Sequence, residues 1–377
     1  MNNPHLLRRT ARVAAATAVT LAALGVTSPA VPAAAHIPHD LRSIALHGSD
    51  PAQRALPARR TAPFSMVGVT WADSRAELRG TAQVRTRDIV TGVWSGWREL
   101  ELDVRTPEVG TDTEAAGSRA GTQPLWTGPS DGVQVRVTGR DGAGSELPTG
   151  LRVELVDPER DAAATTSYAG AAVTVAAASE PAVVPRSGWG ADESLVLSPA
   201  KYTSDTKVMF THHTAGTNDY ACAQSADIIR AIFLYHVQGQ GWNDIGYHFL
   251  VDKCGTVFEG RAGGIDEPIV GAQTYGLNTD TAGVAVIGNY NEVPTPQPVL
   301  RAVAGLAAWK LGLAGYGATG TAELTSTVDN GKFAKGQKVV LNRISGHRDG
   351  YPTECPGNNL YADLTAIRAL AAAAQAD

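Results

Sequence analysis

The stretch Gly346–Gly357, GHRDGYPTECPG, sets a histidine and a cysteine eight positions apart with one proline between them and another directly after. Imidazole nitrogen and thiolate sulfur are the softer zinc ligands among the common side chains. Pro352 and Pro356 each fix φ and bias the residue before them away from helix. His347 and Cys355 are therefore predicted on a stiff, non-helical segment able to turn both side chains toward one point. Two ligands do not make a site, so a third must come from elsewhere in the chain.

Working outward, the 377 residues suit two domains better than one. Hydrophobic residues are 43% and charged residues 18% of the chain, a normal globular balance. The start differs. Arg8, Arg9 and Arg12 precede an uncharged run, Val13 to Val26, and Ala33-Ala34-Ala35 then offers a small-x-small cleavage site. As a helix that run reaches only about 21 Å, short of a ~30 Å hydrocarbon core, so residues 1–35 read as a signal peptide and not a membrane span. The protein is expected outside the cell. Loss of those three arginines takes the formal charge from −5 to −8, which argues against nucleic acid as a partner.

Three cysteines are present, Cys222, Cys254 and Cys355. In an oxidising compartment an odd count leaves one thiol over. Cys222 and Cys254 close the shortest loop, and that bridge would contribute roughly 3–4 kcal/mol by loop entropy. Cys355 is then the odd one, although a bridge from Cys355 to either of the others remains open at this level.

Residues 36–62 read as an extended leader. From Pro63 the pattern turns to short β-type runs: Met66 to Trp71, Thr81 to Thr86, Val93 to Leu100, Val133 to Thr138 and Leu151 to Val156. Val133, Val135 and Val137 alternate with polar residues, as in half-buried strands. An antiparallel β-sandwich over 63–158 is predicted, with Trp71, Trp94, Trp97 and Trp126 filling its core and residues 106–122 as a mobile loop. Residues 159–184, low in complexity, read as a linker. The region 185–377 has α/β patterning: a strand at Val208 to His212, a helix over Ala223 to Gln238, a hairpin from Tyr247 to Glu259, a strand at Gly283 to Ile287, and helices over Pro298 to Leu311 and Leu360 to Ala374. A mixed central sheet flanked by helices follows. The polar segment from 317 to 338 reads as a surface loop.

Adjacent strand residues point to opposite faces, so only one of His212 and His213 can face a metal, and Tyr247 and His248 are separated likewise. His236, alone on an apolar helix face, reads as a core histidine. No HExxH pattern occurs, and neither Glu259 nor Glu354 is assigned as a base.

Together, VMFTHHTAG, GWNDIGYHFLVD and GHRDGYPTECPG, with RSGWGA, FEGR and IGNY between, resemble the zinc amidase domain shared by peptidoglycan recognition proteins and phage-lysozyme-type N-acetylmuramoyl-L-alanine amidases. The resemblance covers residues 185–370. It implies His212, His347 and Cys355 as zinc ligands, a His2Cys set whose fourth tetrahedral position stays open for catalysis. It implies Tyr247 beside the metal-bound water, as donor to a developing oxyanion or as a group that orients the nucleophile, and Thr353 as a second catalytic residue. Phage relatives carry lysine at the Thr353 position. Receptor members typically lack the ligand cysteine, which this chain keeps. The implied reaction is hydrolysis of the amide between N-acetylmuramic acid and L-alanine, by a monomer acting on peptidoglycan. Trp242, Arg261 and His213 are the residues expected to touch substrate, with Arg261 pairing the extra carboxylate of a diaminopimelate stem. The upstream sandwich resembles accessory domains of secreted bacterial amidases.

Overall fold

In the accessory half the apolar positions recur with period two, and the backbone follows. The computed structural model describes residues 40–102, 107–108, 117–140, 146–158 and 180–376, so the expected signal peptide, residues 1–35, and most of the expected linker, 159–184, lie outside the described residues. Strands β1 (Asp40–Ala45), β2 (Gln53–Trp71), β3 (Gly80–Asp88), β4 (Arg98–Glu99), β5 (Ala120–Gly121), β6 (Leu125–Gly139) and β7 (Arg152–Asp157) form one sheet in the order β1-β7-β2-β6-β3-β4, with β5 on β2. Every pairing is antiparallel. Instead of two separate sheets, the 19-residue β2 runs through both halves and shifts register between Leu56 and Met66. Such irregularities bend a strand, and here they let Leu56, Val69, Val84, Val135 and Val153 share one core.

Three expectations change here. The described part of the expected 36–62 leader, residues 40–62, is not one, because β1 and the first part of β2 are integral to the sheet. Trp71 and Trp126 are core residues, whereas Trp94 and Trp97 are half-buried, with Arg85 stacked over both and Arg136 over Trp97. Of the described residues in the segment 106–122, Glu108, Ala120 and Thr122 are buried, whereas Gly117 is exposed.

The second half holds a six-stranded mixed sheet. It comprises β8 (Val183–Val184), β9 (Val208–His213), β10 (Phe249–Val251), β11 (Val257–Glu259) and β12 (Thr281–Val286), then β13 (Thr321–Thr325) and β14 (Lys338–Asn342), a separate hairpin, and finally β15 (Ile344–Gly346). The order is β15-β9-β12-β10-β11-β8, parallel except for the β10–β11 hairpin. Strand β9 is buried at every position, as a strand covered on both faces must be. Helices α1 (Arg186–Trp189), α2 (Ser225–Leu234), α3 (Gln297–Leu313), α4 (His347–Gly350), α5 (Asn358–Ala362) and α6 (Leu364–Ala376) surround the sheet. One core joins α3 and α6 to β9, β10 and β12 through Met209, Phe249, Val286, Val303 and Ile367. The 317–338 segment is not a plain loop. Its hairpin buries Leu324 and Val339 against Val208, Phe210 and Leu277.

The two halves share a core. Residues 37–377 are one compact unit. Met66, Trp126 and Val156 of the accessory sheet pack with Ile229, Phe233 and Tyr235 of α2 and the turn of π-helix after it. The Tyr235 ring lies over Gly68, and its hydroxyl donates to Thr122 O (3.0 Å) and Val69 O (3.3 Å).

Candidate metal centre

Strand β9 ends on His212 and His213, and the strand alternation sends the two rings to opposite sides. His212 Nδ1 lies 3.8 Å from Cys355 Sγ, and its other nitrogen is 3.5 Å from Thr274 Oγ1. The His212 and His347 rings lie 4.4 Å apart at their centroids. One ligand-type atom from each of His212, His347 and Cys355 falls within a 4.8 Å group. His347 does not lie on non-helical chain as expected: it opens the single helical turn α4, directly after β15 has aligned with β9. Cys355 follows in irregular chain before a cis peptide bond to Pro356.

The donor set suits a metal ion. His347 Nδ1 is buried and has no hydrogen-bond partner, although buried polar atoms nearly always have one. Burial lowers the His347 pKa to about 3, and burial together with the neighbouring His347 lowers that of His212 well below the ordinary value. Both imidazoles are thus neutral, the form that ligates. The His213 backbone N–H donates to Cys355 Sγ at 3.3 Å, and the Thr353 hydroxyl oxygen accepts from the Cys355 backbone N–H at 2.9 Å. Tyr247 stands beside the cluster, its ring 5.4 Å from that of His212.

Other predicted residues are placed differently. His213, Trp242 and Arg261 are all buried, so none is presented at a surface in this structure. His213 Nδ1 accepts from the Tyr290 backbone N–H, which leaves Nε2 to donate to Glu101 of the accessory half at 3.3 Å. Trp242 stacks on His236 at 4.4 Å. Arg261 donates to Ile245 O. His236 and His248 are core residues: Gly246 N–H donates to His236 Nδ1 and Gly283 N–H to His248 Nδ1. Glu259 accepts from the Arg186 backbone N–H and belongs to that buried network, not to the cluster. The disulfide joins Cys222 and Cys254, leaving Cys355 as the free thiol.

Sequence reasoning missed the accessory half as a neighbour of the site. A groove of about 910 Å³ runs between Leu78, Glu99 and Glu101 on one side and Asn291, Tyr351 and Thr353 on the other. No periodicity within either half could have revealed it.

A buried His2Cys cluster thus stands at the end of a central strand in a mixed α/β sheet. Residues 202–358 match the N-acetylmuramoyl-L-alanine amidase family, and residues 19–178 match the Rv3811 N-terminal galactose-binding domain-like family. Peptidoglycan-recognition protein SC2 of Drosophila melanogaster is 30% identical over 185 residues, 48% of this chain and 84% of that protein. A human N-acetylmuramoyl-L-alanine amidase is 30% identical over 193 residues, 48% of this chain and 27% of that protein. Among solved structures, wild-type Drosophila PGRP-LB is 24% identical and covers 49% of this chain and 92% of its own, with a TM-score of 0.38. The chain belongs to the family of peptidoglycan-recognition proteins and N-acetylmuramoyl-L-alanine amidases.

Proposed function

We propose that this chain is a secreted, zinc-dependent hydrolase that cleaves the amide between N-acetylmuramic acid and L-alanine in peptidoglycan. The observation that carries the reading is the buried triad of His212, His347 and Cys355, whose ligand-type atoms converge while His347 Nδ1 has no other partner. Three protein ligands leave a fourth position, the arrangement of catalytic rather than structural zinc. Zinc held there would act as a Lewis acid on the scissile carbonyl and activate a water.

The chain's own residues do the rest. The Tyr247 hydroxyl, beside His212, donates a hydrogen bond to the carbonyl oxygen as negative charge develops on it. Thr353 orders the loop that presents Cys355, and the His213 N–H donates to its sulfur. Thr274 on the far side of the His212 ring fixes which nitrogen faces the cluster, the usual office of a second partner to a ligating histidine. The family also contains receptors, so the reading needs a direct test. Purified protein is expected to carry about one zinc and to release L-alanine amino termini from peptidoglycan, with Cys355→Ser losing both. Full hydrolysis by metal-free protein would overturn the mechanism, and a zinc-loaded protein without hydrolysis would make it a receptor.

A further inference from the structure

The geometry points to a carboxylate-binding subsite on the amidase domain that Glu108 of the accessory domain fills in cis, to be displaced by an acidic group of the peptidoglycan stem. This inference rests on the proposed substrate class and adds to it a subsite and a means of control.

Glu108 follows β4 in the accessory half, yet it is only 3% exposed. Its carboxylate accepts from the Gly276 backbone N–H, from Asn278 Nδ2 at 2.5 Å and from Thr327 Oγ1 at 3.1 Å. All three donors belong to the amidase domain, on the loop before β12 and on the chain after β13. Burying a carboxylate costs several kcal/mol unless donors replace its water, so this contact is a built site and not a surface coincidence.

The cradle is shaped without help from Glu108. Asn278 Oδ1 accepts from the backbone N–H groups of Gln273 (2.9 Å) and Thr274 (2.8 Å), which forces its Nδ2 outward toward the carboxylate. The Thr327 N–H donates to Gly276 O at 2.9 Å, and the Thr327 hydroxyl also lies 3.3 Å from that oxygen. The same loop carries Thr274, whose hydroxyl contacts His212. Two contacts, Asn278 to Thr274 and Thr274 to His212, therefore connect the cradle to a candidate metal ligand.

The candidate ligands and Tyr247 are buried with Glu108 seated. His212 and Cys355 are each 1% exposed, Tyr247 6% and His347 7%. On the other side of β9, Glu101 holds His213, so the accessory domain is fastened on both sides of the cluster. A tethered carboxylate competes at an effective concentration on the order of millimolar.

The test is calorimetric binding of a synthetic stem tripeptide to the full-length, zinc-loaded protein, using a free-acid and a carboxamide form. Glu108→Ala is expected to bind the acid form about tenfold more tightly than wild type, the scale of one charged hydrogen bond. The carboxamide form should gain less than about twofold on the same scale. Adding Thr327→Val should remove most of the gain. Glu108→Gln keeps the shape without the charge, and its thermal unfolding midpoint checks that the fold is intact. Equal binding of the acid peptide by wild type and both Glu108 variants overturns the proposal, as does an equal gain for the two peptides. Binding is read without turnover: a gain in a protein that hydrolyses nothing supports the subsite and removes the hydrolase, and hydrolysis with no gain does the reverse.

Discussion

Gly68→Ala should uncouple the two halves of this protein. A Cβ at position 68 would lie 2.4 Å from Tyr235 Cε2, 2.6 Å from Cζ and 2.7 Å from the hydroxyl, and the ring has Gly121 close on another side. Overpacking of this kind costs about 1–3 kcal/mol. Expelling the ring also loses the hydroxyl bonds to Thr122 O and Val69 O, roughly 1 kcal/mol more. The sum, about 2–4 kcal/mol, falls on the interface and not on either core. Urea unfolding followed by tryptophan fluorescence reads it, since each half has its own tryptophans. With an m-value near ~3 kcal/mol/M, the loss shifts the midpoint by about 1 M or splits one transition into two. Gly96→Ala, whose Cβ meets nothing within 4 Å, is the control and should match wild type. A single Gly68→Ala transition at the wild-type midpoint would refute the reasoning that Tyr235 locks the halves together.

Three further outcomes are expected. Tyr247→Phe should keep its zinc and its KM while kcat falls about 10²-fold, the scale of one lost oxyanion donor; loss of zinc instead would give Tyr247 a structural role. Burial lowers both His236 and His248 to about 3, so below pH 6.5 the unfolded chain binds more protons than the folded one. Stability present above pH 6.5 should fall toward pH 3 by about 1.4 kcal/mol per pH unit for each ring, read as urea midpoints across that range, and a flat profile would contradict it. Reducing Cys222–Cys254 should cost roughly 3–4 kcal/mol without altering zinc content, measured by unfolding and metal analysis.

Much of the amidase half was legible because its signals are local. The spacing in GHRDGYPTECPG, the buried run at β9 and the periodicity of α2 each follow from neighbours in sequence. Strand alternation alone separated His212 from His213. The helical turn at His347 was not visible, since the prolines bear on the residues before them and leave residues 347–350 free to turn. Residues 40–62 were read as leader because an Arg- and Pro-rich edge looks solvated until its pairing partners β6 and β7 are known.

The sequence by itself determined which residues could ligate a metal and which stretches carry strand or helix period, since those rest on side-chain chemistry and on local pattern. Only the tertiary structure decided what covers the site. Glu108 and Asn278 stand 170 positions apart, and Glu101 and His213 112. Pairings at that range depend on how two finished surfaces fit, which no local pattern encodes.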